Sequence, residues 1–120
     1  MSLSLIIGVC WVESRFNILA VSHMNATGLM QVRYSVWKEE SELKDNGVKK
    51  EFHLFWVDSN IGSGTAILKK FLKMENNDLQ AALFRYNTGG SIKDVKKYEG
   101  TYTNEVIRAA YQASIMLGGE

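Results

Sequence analysis

Apolar residues crowd the first dozen positions, in LSLIIGVCWV, before the first charge arrives at Glu13. Helical spacing puts Ile6, Cys10 and Glu13 at i, i+4 and i+7, on one face. The pattern predicts a helix over residues 4–16, with a carboxylate on the stripe that a helix usually buries. NILAVSHMNATG then reads as an irregular connection. SVWKEESEL predicts a short helix, and KDNGVKKEFH breaks it. Asp58 or Ser59 is positioned to cap a long helix with Ile61, Gly64, Ile67, Leu68, Phe71 and Leu72 inward. Asp78 caps LQAALFRYN, whose stripe is Leu79, Ala82, Leu83 and Tyr86, and Gly89 and Gly90 end it. SIKD has the spacing of a capping-box-like start for a short helix through Tyr98. Thr101 or Thr103 opens the last helix, with Val106, Ile107, Ala110, Tyr111 and Ser114 inward. Strand-like alternation is weak, and FHLFWV is the one run where a short β-hairpin is expected. The chain has no proline, so Gly, Asn, Asp and Ser must punctuate it. These elements make a mainly α domain.

Composition narrows the class further. A chain of 120 residues fits a single domain, 1–120. Nearly half of it is hydrophobic, enough for a core without disulfide staples. The net charge of +1 argues against a nucleic-acid binder, which would show a strong basic excess. Cys10 is the only cysteine and can form no internal disulfide. No apolar run has transmembrane length, so no membrane insertion is expected. The N-terminus lacks a basic region and a small-residue cleavage site, so it reads as a folded helix and not a signal peptide.

Two readings of Glu13 stay open on the residues alone. A glutamate at a helix end can escape to solvent. Held instead in an apolar cleft, it would keep its proton near neutrality and serve as a general acid. A helix C-terminus, with its negative potential, pushes the same way. His23 and His53 have no cysteine or carboxylate at ligand spacing, so they read as surface or turn histidines, and no metal or cofactor is expected. Cys10 in apolar surroundings reads as a packed thiol.

Several blocks in the right order carry a resemblance. Glu13-Ser14 is followed by Ala20-Val21-Ser22 and then by Gly28-Leu29-Met30-Gln31. NIGSGTAILKKFL and AALFRYNTGG come later, and TYTNEVI closes the series more loosely. Together, over about residues 5–110, they resemble the soluble lytic transglycosylase domain of the lysozyme-like superfamily. The resemblance implies a lysozyme-like helical domain with a substrate cleft. It also implies a peptidoglycan substrate, cut at the MurNAc-β-1,4-GlcNAc bond without water. Glu13 would be the catalytic acid and then the base, helping the muramyl C6 hydroxyl close onto C1 to give a 1,6-anhydro end. The sugar's own nucleophile would replace the second carboxylate of ordinary glycosidases.

By family position, Ser22, Met30, Gln31, Tyr86, Asn87 and Tyr102 are the substrate-binding candidates. Five of them have a plainer alternative: Ser22 as a turn residue, Gln31 as surface polar, Met30 as core filler, Tyr86 as a core aromatic and Asn87 as a helix cap. Gly28 reads as structural. The lysines of GVKKEF and IKDVKK read as solvated faces that suit an anionic wall polymer. Arg33 stands where the family is usually apolar, and Thr103 where it is usually aliphatic. The usual helical segment before the Glu helix has no counterpart, as in a minimal enzyme or a domain lacking upstream sequence. A monomer acting on peptidoglycan glycan strands at the bacterial cell wall is expected, as a phage virion component or endolysin, or as a domain of a secretion or conjugation protein. The alternatives are a hydrolytic muramidase, with Asp58 or an acid among residues 39–45 activating water, and a non-catalytic wall-binding module.

Overall fold

The computed structural model describes residues 1–89 and 100–119. The order is α1 (Leu3–Ser14), β1 (Ala26–Thr27), β2 (Val32–Arg33), α2 (Tyr34–Trp37) and α3 (Ser41–Lys44). A 3-10 turn at Glu51–Phe55 leads into α4 (Val57–Met74), α5 (Leu79–Thr88) and α6 (Thr101–Met116). The expected mainly α class, lysozyme-like with one small hairpin, is what the chain adopts. The segment starting at SIKD lies outside the described residues, as does Gly90.

The chain divides into two compact units, Val9–Ala66 and the combination of Met1–Gly8 with the chain from Ile67. Val9–Ala66 buries Val9, Leu29, Met30, Val32, Leu43, Val48 and Leu54. Its sheet is antiparallel, with Ala26 opposite Arg33 and Thr27 opposite Val32. The hairpin therefore lies around Gly28–Gln31 and not in FHLFWV. In FHLFWV only Leu54 is buried. There the His53 Nδ1 accepts from the Lys49 and Lys50 N–H groups, at 3.0 and 3.2 Å, which closes a tight turn instead of an extended run. SVWKEESEL splits into α2 and α3, separated by residues 38–40. Helix α4 starts at Val57, so Asp58 and Ser59 lie inside its first turn and are not its cap.

In the other unit, the Asp78 side chain caps α5 by accepting from the Ala81 N–H at 3.2 Å. Gly89 ends the helix in the left-handed conformation, at φ 67°. Glu75 and Arg85 form an ion pair in which Nε meets Oε2. Ala81, Ala82, Leu83, Phe84, Val106 and Ala113 are buried. A Cβ on Gly8 would lie 2.8 Å from the Val106 carbonyl oxygen and 2.9 Å from the Ala110 nitrogen, so the backbones of α1 and α6 touch there. That contact sets the phase of α6. Thr103, Val106 and Ala113 are buried, whereas Ile107 and Tyr111 are 40% and 66% exposed. The expected inward stripe holds at Val106, which is buried, and at Ala110, which meets Gly8; Ser114 is half-buried, and Ile107 and Tyr111 are exposed.

Candidate active site

Helix α1 stops two residues short of its expected end, directly after Glu13 and Ser14. Ser14 is buried, and its hydroxyl proton is shared between the Cys10 carbonyl at 2.9 Å and the Leu29 carbonyl at 2.8 Å. The first contact closes the helix end on itself. The second fastens that end to residues 28–31. Arg15 and Phe16 then turn the chain away in left-handed conformations, at φ 52° and 63°. Glu13 is half-buried at this junction. Burial, with the Glu13 charge as a second cause, pushes the Cys10 thiol up from 9.0 to about 11. Cys10 is therefore an inert, protonated thiol at neutral pH.

The connection that looked irregular is a folded loop. The Gly28 N–H donates to the Ala20 carbonyl at 2.7 Å, and the Ser22 N–H donates to the Ala26 carbonyl at 2.9 Å. Val21 pairs with Thr27 in an isolated bridge. The Ser22 Oγ accepts from the Met24 and Ala26 N–H groups, at 3.2 and 3.0 Å, so Ser22 holds its own turn. Both contacts use lone pairs, which leaves the hydroxyl proton to be donated elsewhere.

Gly28-Leu29-Met30-Gln31 is the loop of the hairpin, and Asn60 holds it from α4. The buried Asn60 side chain accepts from the Met30 N–H at 2.8 Å. Its amide donates to the Thr27 carbonyl at 2.8 Å and the Leu54 carbonyl at 2.7 Å. Gly28 sits at φ 76°, and a Cβ there would fall 2.4 Å from the Asn60 Nδ2. Only glycine meets both conditions. Met30 is fully buried, with its sulfur 2.6 Å from where a Cβ on Gly64 would stand. The structure thus gives Met30 to the core, not to a substrate surface. The Gln31 Nε2 donates to the Ala20 and Gly28 carbonyls, at 3.2 and 3.0 Å, and the residue itself is left-handed at φ 54°. Its amide protons hold the loop, and its carbonyl oxygen remains as an acceptor.

Val9–Ala66 therefore holds Ser22, Met30 and Gln31 in one folded loop, fastened through Ser14 to the helix end that carries Glu13. Tyr86 and Asn87 on α5, and Tyr102 on α6, belong to the other unit. Tyr86 and Tyr102 are half-buried and Asn87 is exposed. Ser14 and Asn60 were not among the sequence candidates, although both lie inside the quoted blocks. Each looks from sequence like an ordinary polar residue near a helix end. Asp58 is exposed in the first turn of α4. Among the described residues no three His, Cys, Asp or Glu side chains are grouped to hold a metal ion.

The described residues form a mainly helical fold in which a small hairpin is locked to the end of a glutamate-bearing helix. A family model, the transglycosylase SLT domain, matches residues 1–108, and the chain belongs to that family. It is 34% identical to the membrane-bound lytic murein transglycosylase C of Salmonella arizonae over 128 aligned residues, covering 98% of this chain and 34% of that protein. The protein of that name from Klebsiella pneumoniae is 43% identical over 77 residues, covering 62% of this chain and 20% of its own. The Sodalis glossinidius protein is 42% identical over 67 residues, covering 54% and 19%. The chain spans about a third of the length of the first relatives it matches. No solved structure matches it. No helix among the described residues is long and apolar enough to cross a membrane.

Proposed function

We propose that this chain is a peptidoglycan lytic transglycosylase, with Glu13 as its single acid and base. The observation that carries the proposal is the Ser14–Leu29 bond. It joins the glutamate's helix end to the Gly28–Gln31 loop, which Asn60 holds from the other side. The names of the relatives support the same substrate, murein.

In the proposed reaction the Glu13 carboxyl proton passes to the glycosidic oxygen as the bond from that oxygen to the muramyl C1 breaks. The resulting carboxylate takes the proton of the C6 hydroxyl as O6 bonds to C1. Glu13 ends protonated again, and no water is consumed. A half-buried carboxyl at a helix C-terminus suits this cycle, because last-turn carbonyls favour the protonated form. Ser22, through its hydroxyl proton, and Gln31, through its carbonyl oxygen, are proposed to hold the sugar. By family position Tyr86, Asn87 and Tyr102 are proposed to touch the glycan as well. The protein acts at the bacterial cell wall, as a monomer and without a cofactor.

The test is digestion of purified sacculi, with the muropeptides weighed without prior reduction. 1,6-Anhydromuramic ends are expected. Glu13→Gln should keep its circular dichroism spectrum and lose about 100- to 10,000-fold in rate. A folded Glu13→Gln with near-normal activity would end the assignment.

A further inference from the structure

Trp11, Arg15 and Phe16 form a surface cluster at the C-terminal end of α1, close in sequence to Glu13. The Arg15 guanidinium lies 4.6 Å over the Trp11 ring, and its Nη1 donates to the Trp11 carbonyl at 3.3 Å. The Phe16 ring is 5.5 Å from that of Trp11, tilted by 50°. Both rings stay in water, Trp11 at 42% and Phe16 at 50% exposure. Arg15 and Phe16 both adopt positive φ, where a side chain is disfavoured and a glycine would make the turn without strain. Two unfavourable features, exposed aromatics and left-handed backbone, thus coincide in one place. Strained residues of this kind cluster at functional sites.

The chemistry of the cluster selects an anion. Contact with the Trp11 ring restrains the guanidinium, and one donor is taken by a backbone carbonyl. The remaining N–H groups form a preorganised fork, matched to a planar carboxylate. Among the described residues no carboxylate forms an ion pair with Arg15, unlike Lys44 with Glu39 and Arg85 with Glu75. The flanking rings suit small apolar groups next to that carboxylate.

We propose that Trp11, Arg15 and Phe16 dock a free carboxylate of the stem peptide carried by the strand being cut, which rests on the reading of the chain as a peptidoglycan-cleaving enzyme. The cluster then makes the enzyme prefer peptide-bearing strands. The experiment uses glycan strands from one sacculus preparation, with and without their stem peptides. Wild type should cleave peptide-bearing strands with kcat/KM about tenfold higher, the scale of one charge-assisted contact. Arg15→Gln, checked for an unchanged circular dichroism spectrum, should bring that ratio near one. Arg15→Lys should fall between, since it keeps the charge and loses the fork. Equal rates on both strands for wild type, or an unchanged ratio in Arg15→Gln, would overturn the proposal.

A second arm does not depend on cleavage. The free pentapeptide L-Ala–D-Glu–diaminopimelate–D-Ala–D-Ala is titrated into the labelled protein and the Trp11 indole N–H is followed by NMR. Trp37 and Trp56 serve as internal controls. A saturating Trp11 shift, lost in Arg15→Gln, is expected, and its absence in wild type would overturn the docking site. A saturating shift in a protein that cleaves neither strand would support docking while overturning the transglycosylase reading.

Discussion

The Asn60 side chain directs two amide protons to the Thr27 and Leu54 carbonyls and its oxygen to the Met30 N–H, all out of water. Removing it strands three buried polar groups at about 1–3 kcal/mol each. Asn60→Ala should therefore destabilise the protein by about 3 kcal/mol or more, measured by urea unfolding. A loss below about 1 kcal/mol would mean that the hairpin loop does not depend on it. Asn60 stood in plain sight in the sequence, but nothing in a helix's first turns says which polar residue faces inward. Gly28 was legible as structural, and the reason is the Asn60 amide that fills its Cβ position. Gln31 and Ser22 were read as substrate contacts; the structure adds loop duties that the one-dimensional pattern could not display. Cys10 gives a pH test at the same scale. Its folded thiol titrates near 11 against 9.0 for the ordinary group. The unfolded chain thus releases this proton first, and stability present below pH 9 should decline as pH rises from 9 toward 11. Cys10→Ala should flatten that alkaline decline in melting temperature. A decline of equal slope in the variant would assign it to other groups.

At the scale of elements, capping chemistry and apolar spacing revealed the helices, and packing decided their ends and phases. Asp78 and Gly89 delimited α5 because both act within a few residues of chain. The stop of α1 was missed by two residues because the Ser14 hydroxyl is drawn to Leu29, fifteen residues away. FHLFWV is the one ambiguous run in the sequence, yet the hairpin lies elsewhere, because two-residue strands carry too little alternation to announce themselves. The sequence pattern puts Val106, Ile107, Ala110, Tyr111 and Ser114 on the inner face of α6. The close approach of Gly8 to Val106 and Ala110 keeps those two inward and leaves Ile107 and Tyr111 exposed. This phase predicts unequal mutational costs. Tyr111→Ala should change unfolding free energy by about 0.5 kcal/mol or less, as at other exposed positions. Val106→Ala, in a site with no exposure, should cost about 1–3 kcal/mol. The two variants compared in one denaturant series would reverse this order if the stripe first expected from sequence were the buried one.

For the molecule as a whole, family membership was legible partly because the earlier blocks are held to one another. Glu13-Ser14 reaches Leu29, Gly28 needs Asn60, and Met30 needs Gly64, so within Val9–Ala66 these blocks constrain one another. What the blocks could not reveal was which member touches sugar and which only holds another. The proposed reaction adds a constraint of its own, because one carboxyl must act first as acid and then as base. Glu13 must carry its proton when the strand binds, so cleavage should fall as pH rises through the Glu13 pKa in the complex. Proton return from the C6 hydroxyl needs no second protein group, so no obligatory deprotonated carboxylate should limit the rate on the acid side. Chelation by EDTA should leave the rate unchanged. These expectations are checked by initial rates on soluble glycan strands across pH, with end groups weighed at each point. A rate that needs a second carboxylate in its charged form, together with hydrated reducing ends, would sink the one-carboxylate scheme. Asp58 and the acidic residues between Glu39 and Asp45 would then be the groups to substitute as activators of water.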